Sequence, residues 1–330
     1  MQVEEAVHMT KLSKSQLSKM LGMLMGVCLA WTNSGMAMPA AEVVDALNKQ
    51  VLRVNVKHNN GQAGLGSAVV IGPDQVVTNC HVVQDAHEVS VTSNGVAYPA
   101  TALQPDWHHD VCILTVPSLG LPVVKMGASK QLSYNTPVFT VGYPDKTTQA
   151  VNTYGVVSGM YPMDGSVVIQ ATSAFKPGAS GGGVFNEDGL LVGLITLKSR
   201  GQQASYYYMP VEWVQATLQK PHVALGAKNA SPFWATTASQ RPFFMQVLQP
   251  YQSKDWASLM GVAKAWVGSQ PDAAESWAYL AIAELESKAF ADAEAHALKA
   301  LALNADQPVA KACLSKLKAA MPRLQLALYP

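Results

Sequence analysis

The chain has 330 residues, of which 49% are hydrophobic and 14% are charged, and its formal net charge is +1 at pH 7. This length is enough for two domains and a sizeable core. The balanced charge gives no basic surface for a nucleic acid and no acidic tail, and the apolar content argues against disorder over most of the chain.

The N-terminal segment has the composition of an export signal. An apolar run over residues 20–31 is followed by small residues and preceded by three lysines: Lys11, Lys14 and Lys19. The run is shorter than the roughly 20 apolar residues of a membrane span. We expect residues 1–40 to be a signal peptide with an N-terminal extension, Met9 being an alternative start and an uncleaved anchor the other interpretation. Cleavage is expected after one of three alanines, the first being favoured: Ala37, Ala40 or Ala41.

The cysteines become informative in an exported chain, because the periplasm and the extracellular space allow disulfides. Cys80 adjoins His81, and Cys112 lies two residues after Asp110, on the same side of a strand. If His81 and Asp110 touch, Cys80 and Cys112 are close enough to form a disulfide. Two small buried thiols are the alternative, and Cys313 is expected to be buried in a helix.

The segment from about residue 51 to residue 196 is rich in short runs of β-branched residues. Turn signals such as Asn94-Gly95 and Asp188-Gly189 separate these runs. Many short strands at regular spacing predict a barrel or a sandwich.

The C-terminal part differs in composition from the β-rich segment, because it is rich in alanine and leucine. We interpret residues 221–241, which have no clear periodicity, as a linker, and residues 242–330 as a small all-α domain. Residues 274–305 resemble a tetratricopeptide repeat, and a degenerate repeat precedes them. A generic helical bundle is the alternative. The resemblance rests on eight positions: Trp277, Leu280, Ala281, Ala283, Phe290, Ala293, Ala297 and Ala300. Such repeats bind extended segments on a concave face, so we expect a partner or a substrate there.

Three polar residues in the β-rich segment follow the order of a nucleophilic hydrolase. His81 follows a strand, Asp110 opens an apolar strand, and Ser180 lies in a glycine-rich turn. The order His, Asp, Ser is that of the chymotrypsin-type arrangement. We expect Ser180 to be the nucleophile, His81 the general base, and Asp110 the group that holds the imidazole tautomer. The N–H groups of Gly178 and Ser180 are expected to bind the developing oxyanion.

Other residues compete for two of these roles. His108 and His109 lie beside Asp110 and are alternative bases, but His81 is favoured because it follows a strand. Asp106 is the alternative partner of the base, but it lies in a Pro-Asp-Trp turn, so Asp110 is favoured.

Four segments resemble the motifs of the exported Deg/HtrA-type serine proteases of bacteria, which have the trypsin-like fold. They contain the histidine, the aspartate, a segment ahead of the activation region, and the serine: residues 78–83, 110–114, 141–144 and 176–182. The resemblance covers about half of the chain, residues 51–218. It implies an all-β domain of two six-stranded barrels with the site in the cleft between them, and we assign residues 41–220 to this domain.

The chain also departs from that family. Ala179 stands where animal digestive proteases carry an aspartate, which rules out activation by an ion pair at that place, and helical repeats replace a PDZ-like segment. By the same resemblance, Ala174 and Phe175 lie at the specificity pocket. Because neither is charged, we expect small or medium aliphatic residues, rather than Lys or Arg, at the cleavage site.

The sequence thus predicts a periplasmic or secreted serine endopeptidase that acts on proteins or peptides, with repeats that bind a partner or the substrate. A catalytically silent pseudoprotease that serves as a scaffold through its repeats is the alternative. No cofactor or metal is expected, because His108 and His109 lack a ligand set of recognised spacing. No nucleic acid partner is expected, and no membrane span beyond the signal segment.

Overall fold

A computed structural model of the full chain describes residues 39–145, 147–199, 204–227 and 231–328, with side chains up to residue 320. The apolar run of the predicted signal and the favoured cleavage position after Ala37 lie outside these residues. Residues from 39 onward belong to one compact unit. No helix within the described ranges is long and apolar enough to cross a membrane.

The first half of the unit is a curved antiparallel sheet that follows helix α1 (Ala41–Gln50). A short helix α2 (Cys80–Val83) interrupts the strand sequence after β3. The seven strands are β1 (Val51–His58), β2 (Ala63–Gly72), β3 (Gln75–Thr78), β4 (Ala86–Ser93), β5 (Val96–Pro99), β6 (Ala102–Asp106) and β7 (Val111–Thr115). Their order in the sheet is β5-β4-β1-β2-β3-β7-β6.

This first sheet departs in detail from the predicted six-stranded barrel, since it has a seventh strand and its two edges do not pair. The reason lies at the edge strand β6. Leu103 in β6 exchanges backbone hydrogen bonds of 3.0 and 2.7 Å with Val223. The predicted linker therefore begins by covering the open edge of the sheet, which would otherwise present unpaired backbone groups.

The second half is a closed barrel of six strands in the order β10-β13-β12-β11-β8-β9. Helix α3 (Val211–Thr217) follows its last strand. The strands are β8 (Pro137–Gly142), β9 (Val151–Met163), β10 (Ser166–Ala171), β11 (Gly183–Phe185), β12 (Leu191–Lys198) and β13 (Tyr206–Pro210). One buried apolar cluster takes residues from all six strands, among them Val138 in β8, Ile169 in β10 and Tyr208 in β13. Apolar residues from several strands thus share one interior, which the alternation along each strand requires.

A helical region follows the barrels. Its helices are α4 (Phe243–Gln246), α5 (Leu248–Gln252), α6 (Trp256–Ser269), α7 (Ala274–Glu286), α8 (Phe290–Leu303) and α9 (Pro308–Leu328). Small residues such as Ala281 in α7 and Ala297 in α8 are completely buried between these helices. Because alanine has no bulk beyond Cβ, the helix axes can approach closely. The most extensive contacts join helices that follow each other in the chain, α7 with α8 and α6 with α7.

The helical region packs firmly on the second barrel. The ring of Tyr161 in β9 stacks on Phe244 in α4 with centroids 4.4 Å apart, and Trp266 in α6 lies beside Tyr161. The hydroxyl of Tyr134 donates a hydrogen bond to the buried carboxylate of Glu275 in α7. The burial of this polar pair raises the pKa of Glu275, with the Tyr134 hydrogen bond acting in the opposite direction. Aromatic stacking and a satisfied buried carboxylate fix the orientation of the helices on the barrel.

Candidate active site

His81 and Asp110 lie next to the adjoining ends of two neighbouring strands of the first sheet. His81 is in α2, directly after β3, and Asp110 immediately precedes β7, which pairs with β3. The Nδ1 atom of His81 lies 2.6 Å from Oδ2 of Asp110, and the backbone N–H of His81 donates to Oδ1 at 2.8 Å. The Asp110 side chain is 0% exposed and that of His81 is 25% exposed. The imidazole is therefore held on a buried carboxylate with its far side toward solvent.

The backbone of Asp110 has an unusual conformation, with φ of +59°. A non-glycine residue in this left-handed region is strained and needs support from its neighbours. The side-chain amide of Asn79 gives that support, because it donates to the Asp110 carbonyl at 2.9 Å and to the Thr196 hydroxyl at 2.9 Å. Asn79 thereby joins the first sheet to strand β12 of the second barrel directly behind the His81–Asp110 pair.

A disulfide links Cys80 to Cys112 in the structure, at a sequence separation of 32. The pairing follows from the register of the two strands, since Thr78 in β3 lies opposite Cys112 in β7. Cys313 is free and completely buried, as its apolar surroundings predict. The disulfide ties together the two segments that carry His81 and Asp110.

Removing this disulfide is expected to lower the free energy of unfolding by roughly 3–4 kcal/mol, because the open chain gains loop entropy when it unfolds. The variant is Cys80→Ala/Cys112→Ala, and the measurement is equilibrium unfolding in urea. Added reductant serves as the control: it should destabilise the parent protein and leave the double variant unchanged. Equal stability of the parent with and without reductant would show that the two thiols are free.

The turn before Ser180 has the geometry of a type II turn. The N–H of Ala179 donates to the carbonyl of Lys176 at 3.2 Å, Pro177 occupies the second position, and Gly178 has a φ of +92°. Proline suits the second position of this turn because its φ is fixed, and glycine suits the third because φ there is positive. The sequence Lys-Pro-Gly-Ala therefore encodes the turn locally.

This turn orients two N–H groups. The carbonyl of Pro177 accepts a hydrogen bond of 2.6 Å from the N–H of Asp145, and the peptide that follows is trans. The N–H of Gly178 therefore points to the opposite side, away from Asp145. Among the described residues, neither this N–H nor that of Ser180 donates to a protein acceptor. Two free donors at one turn can bind a negatively charged oxygen.

Ser180 is anchored to the first sheet through its backbone. Its carbonyl accepts from the N–H of Ser67 in β2 at 2.8 Å, and the Ser67 hydroxyl donates to the carbonyl of Gly178 at 2.9 Å. Gly66 fits between the two halves: a Cβ there would lie 2.4 Å from Val82, next to His81, and 3.3 Å from the Ser180 carbonyl. Within the described ranges, no hydrogen bond joins the Ser180 hydroxyl to His81. Catalytic hydrogen bonds are often long in structures without substrate.

The alternative candidates form a second pair beside the first. Nδ1 of His109 lies 2.8 Å from Oδ2 of Asp106, its Nε2 lies 3.0 Å from Oδ2 of Asp164, and its ring stacks on Trp213 at 4.0 Å. Burial raises the pKa of Asp106, but the hydrogen bonds from His109 and Lys220 hold it well below its ordinary value. His81 therefore pairs with Asp110, while Asp106 belongs to His109.

The same cluster is the one group in the described part of the chain whose side chains could together hold a metal ion. One ligand atom from each of His108, His109 and Asp164 lies within 4.8 Å of the others. Two of these side chains, His108 and Asp164, are at least half exposed. Oδ2 of Asp164 lies 3.3 Å from Nε2 of His108 and 3.0 Å from Nε2 of His109, so the three side chains contact one another directly.

The predicted pocket residues line a cavity of about 510 Å³ beside the Ser180 turn. Phe175 is 9% exposed and packs edge-on against Tyr206 and Tyr208, whereas Ala174 is exposed. Lys198 also lines the cavity, and its Nζ lies 5.7 Å from the ring centre of Tyr206. The cavity wall is thus largely apolar and carries three charged side chains, Lys176, Lys198 and Asp145.

Trp234 is a residue of the site that no motif in the sequence predicts. Trp234, in a 3₁₀ turn (Phe233–Ala235) of the predicted linker, donates from Nε1 to Oδ2 of Asp110 at 3.2 Å. Its ring lies edge-on to His81 with centroids 5.6 Å apart. The available signal was the pair of adjacent aromatic residues, Phe233 and Trp234, in an otherwise polar segment.

Comparison with known proteins agrees with this geometry. The family described as "Trypsin-like peptidase domain" matches residues 66–194. The chain is 33% identical over 147 residues to a probable periplasmic serine endoprotease DegP-like of Chlamydia pneumoniae, covering 42% of the chain and 30% of that relative. It is 37% identical over 157 residues to the protein of the same description in Ectopseudomonas mendocina, covering 45% and 33%. The chain thus spans about a third of the length of these relatives.

A solved structure shows the same fold. The active form of the Rv3671c protease from M. tuberculosis superimposes with a TM-score of 0.51 at 23% identity, covering 58% of this chain and 90% of that one. The trypsin-like fold followed by a helical region is therefore confirmed, as is the resemblance to Deg/HtrA-type proteases. Residues 66–194 thus match a trypsin-like peptidase domain, and this part of the chain is similar to the DegP-like serine endoproteases.

Proposed function

We propose that this protein is a serine endopeptidase that acts in the periplasm, with His81, Asp110 and Ser180 as its catalytic residues. The observation that carries the proposal is the 2.6 Å contact between Nδ1 of His81 and the fully buried carboxylate of Asp110. A buried carboxylate fixes the imidazole tautomer that leaves Nε2 free to accept a proton. The names of the DegP-like relatives support both the reaction and the compartment.

The reaction proceeds in two halves. Nε2 of His81 takes the hydroxyl proton of Ser180 as its oxygen attacks the carbonyl carbon of a peptide bond. The N–H groups of Gly178 and Ser180 bind the oxygen that becomes negative. His81 then gives its proton to the leaving amine, which departs and leaves an acyl group on Ser180. His81 then takes a proton from water, whose oxygen attacks that ester. The second product leaves, and His81 returns the proton to the Ser180 oxygen.

The cavity beside Ser180 supports a preference for uncharged side chains before the cleaved bond. Its wall includes Phe175 and Ala174, and its two lysines outnumber its one carboxylate, that of Asp145, which disfavours a basic side chain. We expect small or medium aliphatic residues to dominate the cleavage profile of a peptide library. A profile dominated by Lys or Arg would contradict this assignment of the pocket.

The pH dependence of the reaction is set by His81. Burial lowers the pKa of His81, but the charge of Asp110 and its hydrogen bond raise it more, so that it lies above its ordinary value. Because only the neutral imidazole can accept the Ser180 proton, kcat/KM is expected to fall as the pH drops through this raised pKa. The acid limb should lie above about pH 6.5 in a kcat/KM profile. A limb centred below that value would contradict the upward shift of the His81 pKa.

A serine-reactive fluorophosphonate probe tests the function directly. The proposal predicts a covalent adduct on Ser180, located by mass spectrometry of the peptides, and cleavage of an unfolded test protein. The Ser180→Ala variant is the control and should neither take up the probe nor cleave. If the parent protein takes up no probe and cleaves nothing across the pH range, the peptidase assignment is wrong and a scaffold role for the helical region gains support.

A further inference from the structure

The indole of Trp234 contacts both members of the His81–Asp110 pair. Its N–H donates to Oδ2 of Asp110 at 3.2 Å, the same oxygen that faces Nδ1 of His81 at 2.6 Å. Its ring meets the imidazole edge-on, at an interplanar angle of 89°. Trp234 itself is half-buried, and it packs against the edge of the main apolar core as well as against this pair.

The Asp110 carboxylate depends on few donors. In the part of the chain that the structure describes, three N–H groups donate to it: the backbone and Nδ1 of His81, and Nε1 of Trp234. The side chain is completely buried, so water cannot replace a missing donor. A buried charge that loses a hydrogen-bond donor is strongly destabilised, because nothing else compensates its loss of hydration. Trp234 thus supplies the only donor to this carboxylate that does not come from His81, within the described residues.

The Thr196 hydroxyl lies behind the His81–Asp110 pair, but it does not donate to the Asp110 carboxylate. Thr196 in β12 donates its proton to the carbonyl of Leu194 at 3.1 Å and accepts from the Asn79 amide at 2.9 Å. A hydroxyl has one proton to donate, so Thr196 has none left for the Asp110 carboxylate. The second donor to Oδ2 is therefore provided by a residue outside both barrels.

Trp234 is held in place by its neighbours in the chain. The N–H of Phe233 donates to the carbonyl of His108 at 3.0 Å, and the Phe233 ring is 3% exposed against Trp213. Eleven positions on from Phe233, Phe244 stacks on Tyr161 of the second barrel. Residues 233–244 are therefore held beside Asp110 at one end and against the second barrel at the other.

We infer that Trp234 is a positioning residue of the active site, supplied by the segment that leads into the helical region. It holds the Asp110 carboxylate in the orientation that presents Oδ2 to His81, and its ring limits rotation of the imidazole. The inference rests on the proposed function, because its effect is on the catalytic pair. It also makes the peptidase domain incomplete without the residues that follow residue 230.

The test is Trp234→Phe in the full-length protein, which keeps an aromatic ring and removes only the N–H donor. Trp277→Phe is the matched control, because it removes an indole N–H that donates to the Pro271 carbonyl at 2.7 Å in the helical region. The readouts are kcat and KM on a peptide substrate, the thermal unfolding midpoint, and the NMR resonance of the His81 Nδ1 proton. Trp234→Leu gives a second side chain without a donor if the first variant folds poorly.

We expect Trp234→Phe to lower kcat about tenfold while KM stays within twofold, and to shift the resonance of the Nδ1 proton. Trp277→Phe should leave kcat and that resonance unchanged. A folded Trp234→Phe protein with the kcat and the Nδ1 resonance of the parent would overturn the inference. That result differs from failure of the proposed function, in which the parent itself does not react with the fluorophosphonate probe.

Discussion

Replacing Asp110 with asparagine is expected to lower kcat by about 10,000-fold, an effect of the size that loss of the correct histidine tautomer produces in enzymes of this type. The carboxylate accepts hydrogen bonds on both oxygens: the His81 backbone on Oδ1, and Nδ1 with the Trp234 indole on Oδ2. An amide has one oxygen and one NH₂ group, so one of these donors must face another donor. If the NH₂ faces Nδ1, the proton moves to Nε2, which can then no longer accept the Ser180 proton.

The matched control is Asp106→Asn, because Asp106 faces His109 in nearly the same way, at 2.8 Å. If His81 is the base, this control keeps kcat within a few-fold of the parent, although it loses an ion pair with Lys220. The measurement is single-turnover acylation by an active ester, which separates chemistry from binding. A larger loss in Asp106→Asn than in Asp110→Asn would transfer the role of base to His109.

The same substitution has a second consequence for the pH profile. The charge of Asp110 and its hydrogen bond are what raise the pKa of His81 against the effect of burial. An uncharged asparagine removes the charge, so the pKa of His81 falls and the acid limb of the residual activity moves to lower pH. A pH profile of the residual kcat/KM checks this shift.

The parts of the site that could be predicted from the sequence are those encoded by short segments. The turn before Ser180 is specified by Pro177 and Gly178 through their backbone preferences alone. The Cys80–Cys112 pairing follows from the neighbours His81 and Asp110, once these two touch. Adjacent residues encode the turn completely, whereas the cysteine pairing follows because each cysteine lies within two residues of one member of the His81–Asp110 pair.

The rest depends on contacts between distant segments. Val223 covers the edge of β6, and Trp234 reaches Asp110 across 124 positions, yet neither residue lies in a periodic pattern. Linker composition predicts a lack of regular structure, which is largely what these residues have, but it does not predict where they pack. The seventh strand and the open edge of the first sheet were missed for the same reason: pairing partners are a tertiary property.

Gly178→Ala is expected to lower kcat by about 100- to 1,000-fold, the usual effect of losing one oxyanion donor. A Cβ at this position would lie 2.7 Å from the backbone nitrogen of Asp145 and 2.8 Å from the carbonyl oxygen of Tyr143. Both are backbone atoms, so they cannot move aside as the end of a side chain could. The φ of +92° adds strain for any residue with a Cβ.

The turn must therefore change its conformation, and the simplest change rotates the peptide between Pro177 and Gly178. That rotation breaks the hydrogen bond from Asp145 and turns the Gly178 N–H away from the oxyanion. Because the turn lies at the surface of the second barrel, we expect most of the stability to remain. The effect should fall on kcat rather than on KM, since the N–H binds charge that exists only in the transition state.

Gly95→Ala is the control that separates strain from geometry. Gly95 has a φ of +81°, close to that of Gly178, but no atom lies within 4 Å of the place where its Cβ would be. Both variants carry the cost of a left-handed alanine, and only Gly178→Ala meets a clash beside the nucleophile. Comparable losses of kcat in the two variants would mean that general destabilisation explains the result. If only Gly178→Ala loses kcat, and its unfolding midpoint is close to that of Gly95→Ala, the loss is due to the altered geometry of the Gly178 and Ser180 N–H donors.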